Sequence, residues 1–428
     1  MGKTYLYFYD TPLNKYSVTA LLGAMESFPG LPESVDTRFF CTPEQVTENA
    51  PFEKGDTVIF ALSFFTSQIW EIHRMVEELK ELRKRCTVWF LGGGPHVTGD
   101  MERTVTVLGI DYALSGEGEY IFPAAVEALR DGKSPLGLRG VTGYDGAGKL
   151  VMGGQADIVE LEDYSPDARR FRRYGPIEIT RGCPYGCKFC QTGDLMGRGV
   201  RHRSVDTVRE VIKRADREFP VRFFRALTPN ALSYGSEKGV KADLGKVEEL
   251  LTMLRATLPK EGKIYMGYFP SEVRPNNITP ESVALLRRFV DNDDIVIGAQ
   301  SGSDRILKAA HRGHTAEEVI HAVEILHAGG FIANVDFIFG LPGEEEEDIE
   351  KSLAMILRLA DMGAKLNVHT FMPLPQTPWT LAKYGSIPPE AGKLIRSLAP
   401  RGLVYGDWVN QAAMARRIHS YMATGELY

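Results

Sequence analysis

Long apolar runs are missing from this chain: none approaches the ~18 residues that a membrane-spanning helix needs. The N-terminus opens on a strand-like run, Thr4 to Tyr9, where a signal peptide would carry a basic and then an apolar segment. Cysteine is scarce, five in 428 residues, too few for a disulfide framework, and the setting expected is a reducing cytoplasm. Surplus positive charge is absent too. Lys and Arg total 50 against 56 Asp and Glu, a net charge of -6, which leaves no electrostatic footprint for nucleic acid or an anionic membrane. The one dense basic run, Arg169, Arg170, Arg172 and Arg173, falls in an expected linker and reads as a solvated face. Neither a Gly-Lys-Ser/Thr phosphate loop nor a G-x-G-x-x-G fingerprint is found, which removes the common nucleotide-binding loops.

What cysteine there is lies concentrated. Three of the five fall within Arg181-Gly182-Cys183-Pro184-Tyr185-Gly186-Cys187-Lys188-Phe189-Cys190, directly after the apolar strand Pro176 to Thr180. Gly182, Pro184 and Gly186 bend the backbone so that the thiols can converge. Thiolates are soft ligands suited to zinc or an iron-sulfur cluster. Structural zinc closes its shell with four Cys or His ligands, and His202 downstream has no paired partner. Three ligands favour a cluster that keeps one iron open for chemistry. Cys41 and Cys86, single and flanked by apolar strand residues, read as buried structural thiols.

Cys183-x3-Cys187-x2-Cys190, with Phe189 before the last cysteine, resembles the signature of the radical S-adenosylmethionine (radical SAM) superfamily. The resemblance implies that Cys183, Cys187 and Cys190 hold a [4Fe-4S] cluster whose fourth iron is chelated by SAM. Reductive cleavage of SAM to a 5'-deoxyadenosyl radical would follow, with an external electron donor such as flavodoxin or ferredoxin.

The rest of the chain alternates strand and helix, an α/β protein of two domains. Residues 1–140 predict a doubly wound, Rossmann-like parallel sheet with strands Thr4 to Tyr9, Thr57 to Leu62, Thr87 to Leu91 and Asp111 to Leu114. Three connections would meet at the carboxyl ends of its strands: Ser63-Phe64-Phe65-Thr66-Ser67, Gly92-Gly93-Gly94-Pro95-His96 and Ser115-Gly116-Glu117-Gly118-Glu119. Their glycines admit a ligand closely and their hydroxyls offer neutral hydrogen bonds. This set resembles the cobalamin (vitamin B12) binding domain that precedes many radical SAM cores, which implies cobalamin contacts from Ser63, Thr66, Gly92, Gly93, Gly94, Ser115, Gly116, Glu117 and Gly118. The D-x-H-x-x-G motif that supplies a histidine to cobalt in some B12 proteins is absent, since Thr11-Pro12-Leu13-Asn14 follows Asp10. His96, after a Gly-Pro turn, reads as a hydrogen-bonded loop residue.

Residues 141–172 read as a hairpin and linker, 173–380 as an open (β/α)6 partial barrel of the radical SAM kind, and 381–428 as a helical extension with an amphipathic helix from Asp407 to Met422 that closes the barrel. Strand ends carry Thr228, Glu272, Gln300 and Asp336, and Arg312 stands twelve residues past Gln300. This polar set suits a zwitterion with a ribose. Their order resembles the SAM-binding residues of oxygen-independent coproporphyrinogen oxidases, and Gln300-Ser301-Gly302-Ser303 with Arg312 resembles methylthiotransferases; with Phe189 they form the implied SAM site. At Ala226-Leu227-Thr228-Pro229 the family's glycine-rich turn is replaced. The combined resemblance implies a cobalamin-dependent radical SAM methyltransferase acting on an unactivated carbon of a small molecule or peptide. Radical rearrangement or ring contraction, methylthiolation of RNA and a non-catalytic corrinoid or SAM sensor are the alternatives.

Overall fold

The computed structural model describes residues 2–48, 50–218 and 220–427. The chain divides into two compact units, Met1–Tyr174 with Thr424–Tyr428, and Gly175–Ala423.

The first unit is built on a seven-stranded sheet of order β2-β1-β3-β4-β5-β6-β7. Its strands are β1 (Thr4–Tyr9), β2 (Asp36–Phe40), β3 (Thr57–Ser63), β4 (Thr87–Gly93), β5 (Tyr112–Leu114), β6 (Val141–Tyr144) and β7 (Leu150–Val151). The first five are parallel, and β6 and β7 add an antiparallel edge. All six residues of β1 are buried, as a central strand covered on both faces requires. The helices Lys15–Glu26 and Gly118–Arg130 supply Leu22, Met25, Phe122 and Val126 to the core on one of those faces. The order turns back on itself between β1 and β3, which puts a ligand crevice beyond their carboxyl ends. The expected hairpin past residue 140 is present as β6 and β7, paired into this sheet.

The second unit holds two parallel sheets, β12-β11-β8 and β13-β14-β15-β16. Here β8 is Ile177–Glu178, β9 Thr180–Arg181, β10 Arg201–His202, β11 Phe223–Leu227, β12 Lys263–Tyr265, β13 Asp294–Gln300, β14 Ile332–Phe339, β15 Lys365–Thr370 and β16 Val404–Tyr405. The bridge Val273↔Ile297 and the bond from Val296 N to Gly267 O, 2.8 Å, join the β12 side to β13. Helices Val205–Glu218, Leu244–Thr257, Pro280–Phe289, Ala316–Ala328 and Glu346–Asp361 alternate with the strands. This is the expected partial barrel. The periodicity of the sequence predicts the first of these helices over Ser204 to Phe219, and Phe219 lies outside the described residues.

Three elements differ from the sequence reading. The edge strand β2, Asp-Thr-Arg-Phe-Phe, alternates too weakly to be seen as a strand. The run Pro176 to Thr180 divides into β8 and a separate hairpin of β9 with β10. The C-terminal extension is not wholly helical, since β16 pairs parallel to β15 before the helix Trp408–Thr424. Cys41 is a further correction: it is exposed, just past the end of the edge strand, with its thiol on the carbonyl of Asp10 at 2.9 Å, whereas Cys86 is buried.

Candidate active site

The cysteine loop is framed by the β9–β10 hairpin. Gly182 has φ +90°, and a Cβ there would lie 2.2 Å from the carbonyl oxygen of Gly199, so only glycine lets the two arms approach. Cys183 N then donates to Gly197 O, Cys190 N to Cys187 O and Lys188 N to Ala310 O. Gln191 Nε2 donates to Pro375 O, and Gln376 Nε2 to Asp194 O. Phe189 packs on the cluster of Ile306, Leu341 and Phe371, which makes it the loop's anchor to the core. Burial pushes the thiols of Cys183 and Cys190 up, although Thr192 N donates to Cys190 Sγ at 3.5 Å and the thiol donates in turn to the Thr192 hydroxyl at 3.2 Å. Metal binding must therefore displace protons from these thiols. His202 bonds Thr180 and Ser236.

Cys183, Cys187 and Cys190 open onto one cavity of about 320 Å³, whose walls include Thr228, Glu272, Arg274 and Arg312. Arg312 is 8% exposed and donates to Cys187 Sγ at 3.6 Å and to Gly298 O at 2.7 Å, while its Nε has no acceptor. Arg274 is 7% exposed, lies 3.5 Å over the Tyr185 ring, and likewise has an Nε without an acceptor. Neither guanidinium has a carboxylate within ion-pair distance among the described residues. The sequence reading missed Arg274, because a lone arginine two residues past Glu272 carries no pattern.

Glu272 is exposed, but to the cavity; enclosure by protein and then the Asp336 carboxylate push it up to about 7, against the pull of Arg312. Gly298 shows how closely the strand ends crowd. A Cβ on it would stand 2.5 Å from Gln300 Nε2, 2.7 Å from an Arg312 terminal nitrogen and 3.5 Å from Glu272 Oε2. The register of β13 shifts there, and Gln300 takes φ +75°, a left-handed strain at the meeting of three polar side chains. Gln300, Asp336 and Phe189 stand outside the cavity's lining. Asp336 accepts from Asn367 at 2.9 Å, and Asn367 also reaches His369, whose other nitrogen meets Gln411 at 3.2 Å. Thr228 shapes the turn after β11 by accepting from Asn230 N. Ser301, Gly302 and Ser303, next to Gln300, are absorbed in docking the helix Glu346–Asp361: Gly302 N donates to Ser352 Oγ, and Ser303 Oγ to Asp348.

In the first unit, the loops after β1, β3, β4 and β5 crown one end of the sheet. Asn14 ties two of them, donating to Tyr9 O at 2.8 Å and to Ser63 O at 2.9 Å. Thr66 Oγ1 meets His96 Nδ1 at 3.2 Å, Ser115 Oγ donates to Gly154 O at 2.6 Å, and Glu117 accepts from Val159 N at 3.0 Å. These side chains therefore spend their polar atoms on the loops themselves. His96 is 0% exposed, stacks on Phe64, and burial drives its pKa down to about 3. Beside the crevice, Gly93 faces open space, Gly94 has φ +95°, and Leu13 and Phe65 are 61% and 39% exposed. The rim fits a large planar group held by shape and backbone, with Gly92, Gly116 and Gly118 in the same loops and no imidazole offered from His96.

Residues 177–356 match the model of the radical SAM superfamily, and residues 6–126 that of the B12 binding domain. The chain thus carries a radical SAM domain behind a B12-binding domain. It is a radical SAM enzyme with an N-terminal B12-binding domain, and its implied cofactors are a [4Fe-4S] cluster, SAM and cobalamin. An uncharacterized methyltransferase of Pyrococcus horikoshii is 25% identical over 336 residues, 75% of this chain and 68% of that protein. The fold is that of the radical SAM methyltransferase TsrM of Kitasatospora setae, solved with cobalamin and a [4Fe-4S] cluster: TM-score 0.64, 17% identity, 90% of this chain and 78% of that one. The cobalamin-dependent SAM radical enzyme OxsB has the same fold at TM-score 0.63 and 16% identity; the match covers 83% of this chain and 52% of OxsB, so the chain spans about half that protein's length. No helix among the described residues is long and apolar enough to cross a membrane.

Proposed function

We propose that this chain is a cytoplasmic, cobalamin-dependent radical SAM methyltransferase that methylates an unactivated carbon. One observation carries the reading: three thiols share a cavity with two buried arginines that have no carboxylate partner. That donor set suits three irons of a cluster and the carboxylate of a zwitterion chelating the fourth. The methyltransferase relatives and the B12 domain favour methyl transfer over rearrangement.

When bound, the cluster, SAM and methylcobalamin supply an electron, a 5'-deoxyadenosyl radical and the methyl group. The protein's part is binding and position. Cys183, Cys187 and Cys190 would hold the cluster, and the Thr192 N–H donates to the sulfur of the third cysteine. Arg274 and Arg312 anchor the SAM carboxylate, Arg312 meanwhile bonding Cys187 Sγ. Glu272 would accept from the ammonium group, while Gln300 and Asp336, behind the lining, would position Arg312 and Glu272 for it. Electrons come from a flavodoxin- or ferredoxin-type donor, and the substrate is a small molecule or peptide.

The test is anaerobic reconstitution with iron, sulfide and hydroxocobalamin, then incubation with SAM and mass spectrometry. Wild type should release 5'-deoxyadenosine, and Cys187→Ala should release none. Cleavage retained in that variant would falsify the assignment. A second cluster without a corrinoid absorption band would instead favour a methylthiotransferase, for which Cys41 and Cys86, one exposed and one buried, are a poor foundation.

A further inference from the structure

Two of the arginines inside the barrel are accounted for by SAM, but Arg225 is not. It lies on β11, where Phe224 and Ala226 are 0% exposed under the helices and Leu227 lines the cluster cavity. Side chains alternate along a strand, so Arg225 shares the inward face of Leu227, two residues deeper. Its guanidinium lies 5.1 Å from the ring centres of both Tyr265 and Tyr268. Its Nε is sealed from solvent without an acceptor, and no carboxylate lies within ion-pair distance among the described residues.

Cation–π contact offsets part of the desolvation of a guanidinium, about 0.5–2 kcal/mol each, but leaves the buried Nε–H unmet among the described residues. A buried unmet donor costs about 1–3 kcal/mol. Other arginines of this unit have acceptors: Arg181 has Glu178, Arg255 has Asp291 and Arg305 has Asp348. Phe223, 37% exposed, meets Tyr265 edge-on with ring centroids 6.4 Å apart, and Phe269, one residue past Tyr268, is 69% exposed, so aromatic surface accompanies the clamp. Asp294 on β13 and Asp336 on β14 accept from Asn334 and Asn367, and neither lies within ion-pair distance of the arginine among the described residues.

We propose that Arg225, clamped by Tyr265 and Tyr268, is the anchor for an oxyanion of the substrate, which is a compound bearing a carboxylate or phosphate on a planar apolar body. This rests on the substrate occupying the barrel beneath SAM. The planar fork of arginine matches both oxyanions bidentately, and the two tyrosine rings hold its plane in place. Anchored there, the body of the substrate extends along Leu227 towards the cavity where the radical forms.

The experiment measures binding, not turnover. Anaerobically reconstituted full chain, saturated with SAM so that the cofactor site is filled, is titrated by calorimetry with phenylacetate, phenyl phosphate and neutral 2-phenylacetamide. One of the two anions should bind at least about tenfold more tightly than the amide, as a charged hydrogen bond implies, and which one it is names the oxyanion. Arg225→Met should erase the preference, Arg225→Lys should keep part of it, and Tyr265→Leu should weaken it. Equal affinity for anions and amide in wild type, or an anion preference kept in Arg225→Met, overturns the proposal. So does an anion preference that appears only when SAM is left out. If Arg225→Met does not fold, the wild-type comparison and Tyr265→Leu decide. Release of 5'-deoxyadenosine, scored separately, tells failure of this subsite from failure of the radical reading.

Discussion

A guanidinium buried without a counter-ion is a demand for one, and the cluster cavity makes that demand twice. Arg274 and Arg312 repel each other across the site, and burial and then Arg312 lower the pKa of Arg274. Binding a carboxylate relieves that repulsion, so the two residues read as a clamp that is strained while open. Arg274→Gln removes one charge and retains an amide donor. It should raise the KM for SAM by about 10–100-fold, the 1.5–3 kcal/mol of a charge-assisted hydrogen bond, while kcat at saturating SAM falls much less. Arg274→Lys should recover part of the loss. A fall in kcat with KM unchanged would show that Arg274 supports only the fold of the Tyr185 loop. At this scale the cysteines were legible because ligand spacing is written in consecutive residues. Arg274 and Arg225 were not, since what marks them is the absence of a partner, which only the folded chain displays.

At the scale of the element, the strand β13 and the helix Glu346–Asp361 act as one piece. Asp348 is the joint: it accepts from Ser303 Oγ at 2.5 Å and from Glu345 N at 2.9 Å, and pairs with Arg305. Burial works to raise its pKa, but Arg305, Ser303 and the Glu345 N–H outweigh it and hold the carboxyl down at about 2. Asp348→Ala strands the Ser303 hydroxyl and uncaps the helix, at a cost of about 2–3 kcal/mol in chemical denaturation. SAM affinity in the surviving fold should change less than about threefold, because Gln300 and not Ser303 faces Arg312. Loss of SAM binding equal to that of Arg274→Gln would place Ser303 in the site after all. The strand-helix alternation was legible throughout, since apolar runs and 3.6-residue periodicity are local properties. The motif Gln300-Ser301-Gly302-Ser303 was legible as important but not as divided in purpose: one residue meets the polar cluster and three seat a helix. The strands β2 and β16 escaped because an exposed edge and a two-residue pairing depend on neighbours distant in sequence.

On the scale of the whole molecule, two units with separate cores respond to pH in opposite directions. In the first unit His96 is buried and held near a pKa of about 3 against 6.5 for the free side chain. Its contribution to stability is full above 6.5 and is lost as pH falls towards 3, because the unfolded chain takes up the proton first. In the second unit burial pushes Glu344 up to about 7 from 4.5, although Gly340 N donates to one carboxylate oxygen at 2.7 Å; the other oxygen has no partner. Its contribution is full below 4.5 and is lost as pH rises through 7, because the folded state now binds the proton more tightly. Each slope is at most about 1.4 kcal/mol per pH unit. Glu344→Gln keeps the shape and carries no charge to bury, so its melting temperature should exceed that of wild type by a margin that grows from about pH 5 to about pH 8. His96→Asn, which can still reach the Thr66 hydroxyl, should narrow the acid-side loss instead and leave the alkaline side alone. Melting curves of both variants that run parallel to wild type across this range would mean that neither group changes its proton affinity on folding. The same His96→Asn protein should bind hydroxocobalamin with an unaltered visible spectrum, since an imidazole turned into the core beside Phe64 cannot also reach cobalt.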